Sequence, residues 1–178
     1  MQKELVSTLK GNYQPDLLPN EETIKQYLAE AQKAVRLRTC INLHKEGDEL
    51  NRTFNFLSRN TFMKPHKHDE EGMIEEIRLV RGKIRIYYFD KNAKIERTIL
   101  MDKPGEFVHV PNKKIHTYSV ISDTAITYET MTGIYAKDTW KKFPEWAKYL
   151  NEEGIRGEKH SEELKEKEKG QTAFRYEK

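Results

Sequence analysis

The sequence predicts an all-β core, a sandwich or barrel of short strands, with helices packed at its two ends. Three observations carry that expectation. Beyond Arg38 the apolar residues stop recurring at helical spacing and begin to alternate. The alternating runs are short and separated by polar turns such as Asp90-Lys-Asn-Ala, whose Asp and Asn suit a turn chemically. Histidines fall on these runs with a spacing that places pairs of imidazoles on one face.

Taken in order, residues 1–19 carry Gly11, Pro15 and Pro19 and read as an irregular arm. Asn20 is a good N-cap, and Glu21 and Glu22 suit the positive end of a helix dipole. Ile24, Tyr27, Leu28, Ala31 and Val35 follow at helical spacing, so an amphipathic helix is expected over about 20–35. Strands are expected at Cys40–Leu43, Asn51–Leu57, Thr61–His68, Glu75–Val80, Lys83–Phe89, Ile95–Met101, Glu106–Pro111, His116–Ile121 and Ala125–Met131. Gly82 would turn a hairpin between the fourth and fifth of these. A second helix is expected from Asp138 to about Glu153, through Trp140, Phe143, Trp146, Ala147 and Leu150. Residues 155–178 are dominated by Glu and Lys, show no apolar stripe, and read as a solvated, dispensable tail.

Composition narrows the function classes. The chain has 178 residues, 36% hydrophobic and 34% charged, which suits one domain with a modest core. Its 32 basic and 29 acidic residues are interspersed and leave a net charge of +3. A nucleic-acid-binding surface would need that basic charge clustered, so no nucleic-acid partner is expected. The single Cys40 excludes an internal disulfide and a cysteine-rich zinc site, and suits a reducing cytoplasm. No apolar run approaches membrane-spanning length, so no membrane insertion is expected.

The chemistry concentrates in Pro65–Gly82. His66 and His68 share one strand face, roughly 7 Å apart, and can converge on one ion. Farther on, Glu75, Ile77 and Leu79 share a face, while Glu76 and Arg78 lie on the other as an ordinary surface ion pair. A carboxylate aligned with two aliphatic side chains is costly to bury unless paired or coordinated. Glu75 is therefore nominated as a ligand, with Glu71 in the preceding loop as its rival. After Gly105 comes a short strand, a Pro111-Asn112 turn, and a further strand opening with His116.

These two stretches resemble the paired motifs of the cupin superfamily, G-x5-H-x-H-x3/4-E-x6-G and G-x5-P-x-G-x2-H-x3-N. His66, His68, Glu75, Gly82, Gly105, Pro111 and His116 stand at matching positions. Asn60, Lys113 and Val120 depart from the pattern, and the loop between His68 and Glu75 has six residues. Arg36–His44, Arg52–Asn55, Thr61-Phe62, Phe89-Asp90, Glu129, Gly133–Tyr135 and Trp146-Ala147 resemble, more narrowly, the WbuC-type cupin-fold metalloproteins associated with lipopolysaccharide O-antigen gene clusters. Cys40, Ile134 and Lys148 depart from that family, and the likeness runs over about 20–154.

The resemblance implies a cupin double-stranded β-helix, a jelly-roll barrel, with one divalent metal held by His66, His68, Glu75 and His116. Such a mixed nitrogen and oxygen set accepts Zn, Fe, Mn, Ni, Co or Cu. It also implies a small polar ligand, a sugar or nucleotide-sugar, and a homodimer. Arg52 and Asn55 are candidates to hold that ligand, or else make a salt bridge and a turn contact. Tyr118 shares parity with His116 and points beside the metal or into the core. Glu129 is expected to support a histidine N–H or to pair with Arg52, and His44 to hydrogen-bond near the site or to pack. His109 has the opposite parity and His160 lies in the tail, so neither is expected in the site. Three functions remain open: a metalloenzyme, a metal-dependent binding or sensor module, and a metal-free epimerase using histidine and tyrosine.

Overall fold

A computed structural model describes residues 18–69, 72–135 and 140–174. The amphipathic helix forms as α1, Glu21–Lys33, with Asn20 Oδ1 accepting the Thr23 amide at 2.9 Å. It ends two residues early, and Val35 lies outside it and exposed. Eight strands follow: β1 Arg38–Asn42, β2 Leu50–Ser58, β3 Glu75–Arg81, β4 Ile84–Phe89, β5 Ile95–Met101, β6 Phe107–Val110, β7 Ile115–Val120 and β8 Thr124–Thr132. All their pairings are antiparallel, in one sheet ordered β1-β2-β8-β3-β6 and another ordered β5-β4-β7.

Alternation along the strands sorts the apolar residues into three layers. Leu57, Ile77 and Leu79 meet Ile84, Ile86, Tyr118 and Val120 between the sheets. The other face of the larger sheet, with Phe54, Phe56, Ile126 and Tyr128, is covered by Ile24 and Ala31 of α1. The other face of the smaller sheet presents Tyr87, Phe89 and Ile95 to the C-terminal segment. Both sheets are thus buried on both faces over much of their length.

Several sequence expectations are corrected. β3 and β4 do not form a hairpin; they belong to different sheets, and Gly82 is where the chain crosses between them. Its φ of +86° and the 2.3 Å that a Cβ would lie from Thr124 O both require glycine. Residues 61–68 form no strand but a strap, bridged at His66 to His116 and at Lys67 to Lys142. Asn60 does not adopt a left-handed backbone, whereas Lys113, at the motif's second departure from glycine, does, with φ of 60°.

The expected helix over Asp138–Glu153 is also not formed as such. Its first residues lie outside the described set, and from Trp140 onward the chain is irregular except for one 3-10 turn, Glu145–Ala147. The helix instead follows in the segment read as a solvated tail, as α2, Gly154–Lys165. Leu164, Ala173 and Phe174 are buried against Phe62, Phe89, Ile95 and Trp146. Three apolar residues spaced nine and one apart make no stripe, so the sequence pattern hid this docking. His160, set aside as a tail residue, packs its ring on Phe62 and Phe174.

Candidate metal centre and its cavity

His66 and His68 sit on the strap, His116 on β7 and Glu75 at the start of β3. The strap is pinned on both sides: His66 and His116 exchange backbone hydrogen bonds at 2.9 and 3.1 Å, and Lys67 and Lys142 do so at 2.9 and 3.0 Å. Glu75 is held in register between Met131 of β8 and Val110 of β6. Two sheets and a strap thereby deliver four side chains to one point, all of them buried.

Backbone carbonyls orient the three rings. His66 Nδ1 donates to Lys64 O at 2.8 Å, His68 Nδ1 to Trp140 O at 2.5 Å and His116 Nδ1 to Lys114 O at 3.0 Å. A carbonyl only accepts, so each Nδ1 carries the proton and each Nε2 presents a lone pair in the neutral ring. The three rings bring their ligand nitrogens within 4.8 Å of one another. Glu75 Oε2 lies 3.1 Å from His116 Nε2 and 3.5 Å from His68 Nε2. His66 Nε2, His68 Nε2 and Glu75 Oε2 are buried with no well-aligned hydrogen bond. Buried acceptors left unpartnered side by side are costly unless a cation lies between them. The donor set fits a transition-metal ion, and the carbonyl-anchored rings are what such a ligand set needs to hold its orientation.

The charges respond to this crowding. Burial, with Lys141 and the two other histidines nearby, pushes the His66 imidazole well below its ordinary pKa, towards the neutral form a ligand requires. Burial opposes ionisation of Glu75, but His116 and His68 outweigh it and hold the carboxyl below its usual range. For His116, burial works against protonation and the Glu75 carboxylate more than reverses it, raising its pKa.

His66, Glu75 and His116 line a cavity of about 650 Å³ between the sheets. Alternation on β2 turns Asn51, Thr53 and Asn55 into it, with Asn55 Nδ2 3.3 Å from Thr127 Oγ1. Arg52, expected to hold a ligand, has the opposite parity: it is not among the residues lining the cavity, and its Nη2 donates to Leu43 O at 3.2 Å. Tyr118 points inward, and its hydroxyl donates to Glu129 Oε1 at 2.8 Å. Glu129 therefore neither supports a histidine nor pairs with Arg52; the Lys64, Trp140 and Lys114 carbonyls take the histidine N–H groups instead. Burial and the Glu75 charge push the Glu129 carboxyl above its usual range. His44 lies at the cavity wall, its Nδ1 accepting the Arg52 amide at 3.1 Å.

Other placements differ from expectation. Glu76 and Arg78 are not a surface pair: both are buried, joined by Arg78 Nη2 to Glu76 Oε1 at 2.7 Å. His109 Nε2 reaches Glu76 Oε2 at 2.9 Å, and the Arg78 guanidinium lies 4.5 Å from the Phe107 ring centroid. Glu71 lies outside the described residues. The sequence reading missed Lys141, which lines the cavity, and the Trp140 carbonyl that fixes His68. Nothing in Trp140-Lys141-Lys142 distinguishes Lys141 from a surface lysine. A larger recess of about 840 Å³, lined by Lys91, Trp146, Tyr149 and Phe174 among others, contains none of the histidines.

A family model described as a domain of unknown function, DUF6016, matches residues 20–101. No curated protein matches the chain. Among solved structures, CapF in complex with 3-isopropenyl-tropolone is 19% identical with a TM-score of 0.51, over 63% of this chain and 32% of that one. The Cnp3 cupin domain of Schizosaccharomyces pombe is 20% identical with a TM-score of 0.44, over 54% of this chain and 64% of that one. KdgF from a Halomonas species is 12% identical with a TM-score of 0.46, over 57% of this chain and 83% of that one. The chain thus spans a third of CapF and just under two thirds of the Cnp3 domain. The two packed antiparallel sheets form a jelly roll, a fold likeness shared with CapF. Among the described residues, no helix is long and apolar enough to cross a membrane.

Proposed function

We propose that this protein is a metal-dependent cupin enzyme acting on a small polar molecule. One divalent transition ion per chain would be held by His66, His68, Glu75 and His116. The observation that carries this reading is the convergence of three buried, carbonyl-oriented imidazoles and Glu75, with His66 Nε2, His68 Nε2 and Glu75 Oε2 left without a well-aligned hydrogen bond. When bound, such an ion supplies Lewis-acid polarisation of a carbonyl or hydroxyl oxygen.

The chain's own residues supply the rest. Asn55 and Thr53 offer donors and acceptors along one wall, and Met63, Ile77 and Trp140 exclude water along another. Glu129, kept protonation-prone by its burial, forms with Tyr118 a hydrogen-bonded pair whose carboxyl can hold a proton. The same pairing weighs against a metal-free epimerase, because the Tyr118 hydroxyl faces Glu129 and not His116. The resemblance to WbuC-type metalloproteins supports a sugar or nucleotide-sugar ligand in surface-polysaccharide synthesis, a cytoplasmic setting and a homodimer, which light scattering would check.

The test is elemental analysis of protein purified without added metal, followed by turnover assays of the loaded protein on sugars and nucleotide-sugars. The reading expects about one transition ion per chain and chemical change in a substrate. Metal below a tenth of stoichiometry, before and after incubation with each candidate ion, would overturn it. Stoichiometric metal with binding but no turnover would make the protein a sensor or binding module instead.

A further inference from the structure

Lys141 is a cation brought to the cavity without an anion beside it. Its flanks are fixed: the Trp140 carbonyl accepts the His68 Nδ1 proton, and Lys142 is bridged in both directions to Lys67. The strap that carries the histidines therefore also sets where Lys141 stands. Among the described residues no carboxylate lies within ion-pair distance of its ammonium, and its one polar contact is Met63 Sδ at 3.7 Å. A half-buried cation at a cavity wall is costly to desolvate further unless something negative joins it. Burial pushes its pKa down, opposed by the more distant Glu129, Glu152 and Glu75.

Those three carboxylates are already engaged. Glu152 is paired with Arg38 at 2.8 Å, Glu129 takes the Tyr118 hydroxyl at 2.8 Å, and Glu75 faces His68 and His116. On the proposed reading, an ion of charge +2 would take up the Glu75 charge, leaving the cavity with a surplus of positive charge and Lys141 still unpaired.

We infer that the ligand of this cavity carries a carboxylate and that Lys141 receives it. This rests on the metal-cupin reading and deepens it: the substrate class becomes a small hydroxy, keto or sugar acid. A phosphate suits the wall less well. The other cationic residue lining the cavity, Arg36, is half exposed and shares Glu152 at 3.7 Å, and among the described residues no helix N-terminal residue lines it to add amide donors.

Calorimetric titration with matched acid and neutral pairs tests this: lactate and lactamide, pyruvate and pyruvamide, glucuronate and glucose. Each pair is run on metal-loaded and metal-free protein, with metal content measured for every sample. At least one acid should bind the wild-type protein tenfold or more tighter than its neutral partner. Lys141→Met should remove that preference with metal content unchanged, and Lys141→Arg should restore most of it. The inference is overturned if no acid is preferred in either metal state, or if the preference survives Lys141→Met. Tighter binding of inorganic phosphate than of every acid would overturn it as well. Metal content alone decides the metal reading, so the two failures are distinct: a carboxylate preference that depends on Lys141 in protein unable to bind metal would overturn only that reading.

Discussion

His66, His68 and His116 use one device: the ring proton at Nδ1 goes to a backbone carbonyl, and the other ring nitrogen converges with those of its two neighbours. Glu75 completes the group from the neighbouring sheet, and its neighbour Glu76 provides the natural control. Replacing Glu75 with Gln removes a charged ligand, so metal retention through desalting should fall at least tenfold. Glu76→Gln should keep the metal but disturb the buried contacts with Arg78 and His109, at a cost of about 3 kcal/mol. In a domain this size that lowers the thermal midpoint by roughly 6–12 °C. Equal metal loss in both variants, measured by elemental analysis, would mean the β3 register is wrong. Parity made Glu75 legible in the sequence, because a carboxylate in line with Ile77 and Leu79 has to face the core. The same parity placed Glu76 outward but could not show that outward is covered, since Phe107 and His109 come from β6, thirty residues away. Arg52 failed for a simpler reason: its parity with Phe54 and Phe56 puts it on the α1 side of the sheet, and its motif membership outweighed its parity.

At the scale of elements, the C-terminal segment is the main departure from what the chain announces. Local propensity for Glu- and Lys-rich helix was visible; its docking was not. One buried side chain per turn or fewer makes no periodic signal, yet Leu164 fills space against Phe62 and Trp146, and Phe174 stacks beside Trp146 at 6.1 Å between centroids. Ala173 and Gln171 extend the attachment by backbone hydrogen bonds to Ala93 and Ile95. The tail is therefore a structural lid on the smaller sheet. Leu164→Ala should cost about 2–5 kcal/mol, the range for emptying a fully buried leucine site. Truncation after Gly154 should cost more, exposing the outer face of β4 and β5. Urea titration of both variants checks this. A midpoint within error of wild type for the truncated chain would show that the segment does not dock in solution. The strand order was equally hidden: β3 and β4 are neighbours in sequence with a glycine between them, and the close approach of Gly82 to Thr124 shows only why glycine stands where the chain crosses between the sheets.

At the scale of the molecule, the candidate centre sits where three parts of the chain meet. Glu75 belongs to the larger sheet, His116 to the smaller one, and His66 and His68 to a strap held by β7 on one side and by residue 142 on the other. An ion bound there would cross-link both sheets and the strap, a bond that the unfolded chain does not reproduce. Anything that binds the folded state alone stabilises it by mass action, by about 4.1 kcal/mol at a thousandfold excess over its dissociation constant. Through the size scaling of thermal unfolding that is a rise of roughly 8–16 °C in the midpoint. Removing the metal with a chelator should therefore lower the midpoint by that order, and re-adding the native ion should restore it in a concentration-dependent way. His116→Ala should abolish the response, because it cuts the link to the smaller sheet. His109→Ala should leave it intact, since His109 lies on the outer face with Glu76. Calorimetric scans of the four samples separate the cases. A midpoint that ignores chelator in wild type would show that the three parts are joined by their packing and hydrogen bonds alone, and a His116→Ala protein that still responds would show that the ion is held without the smaller sheet.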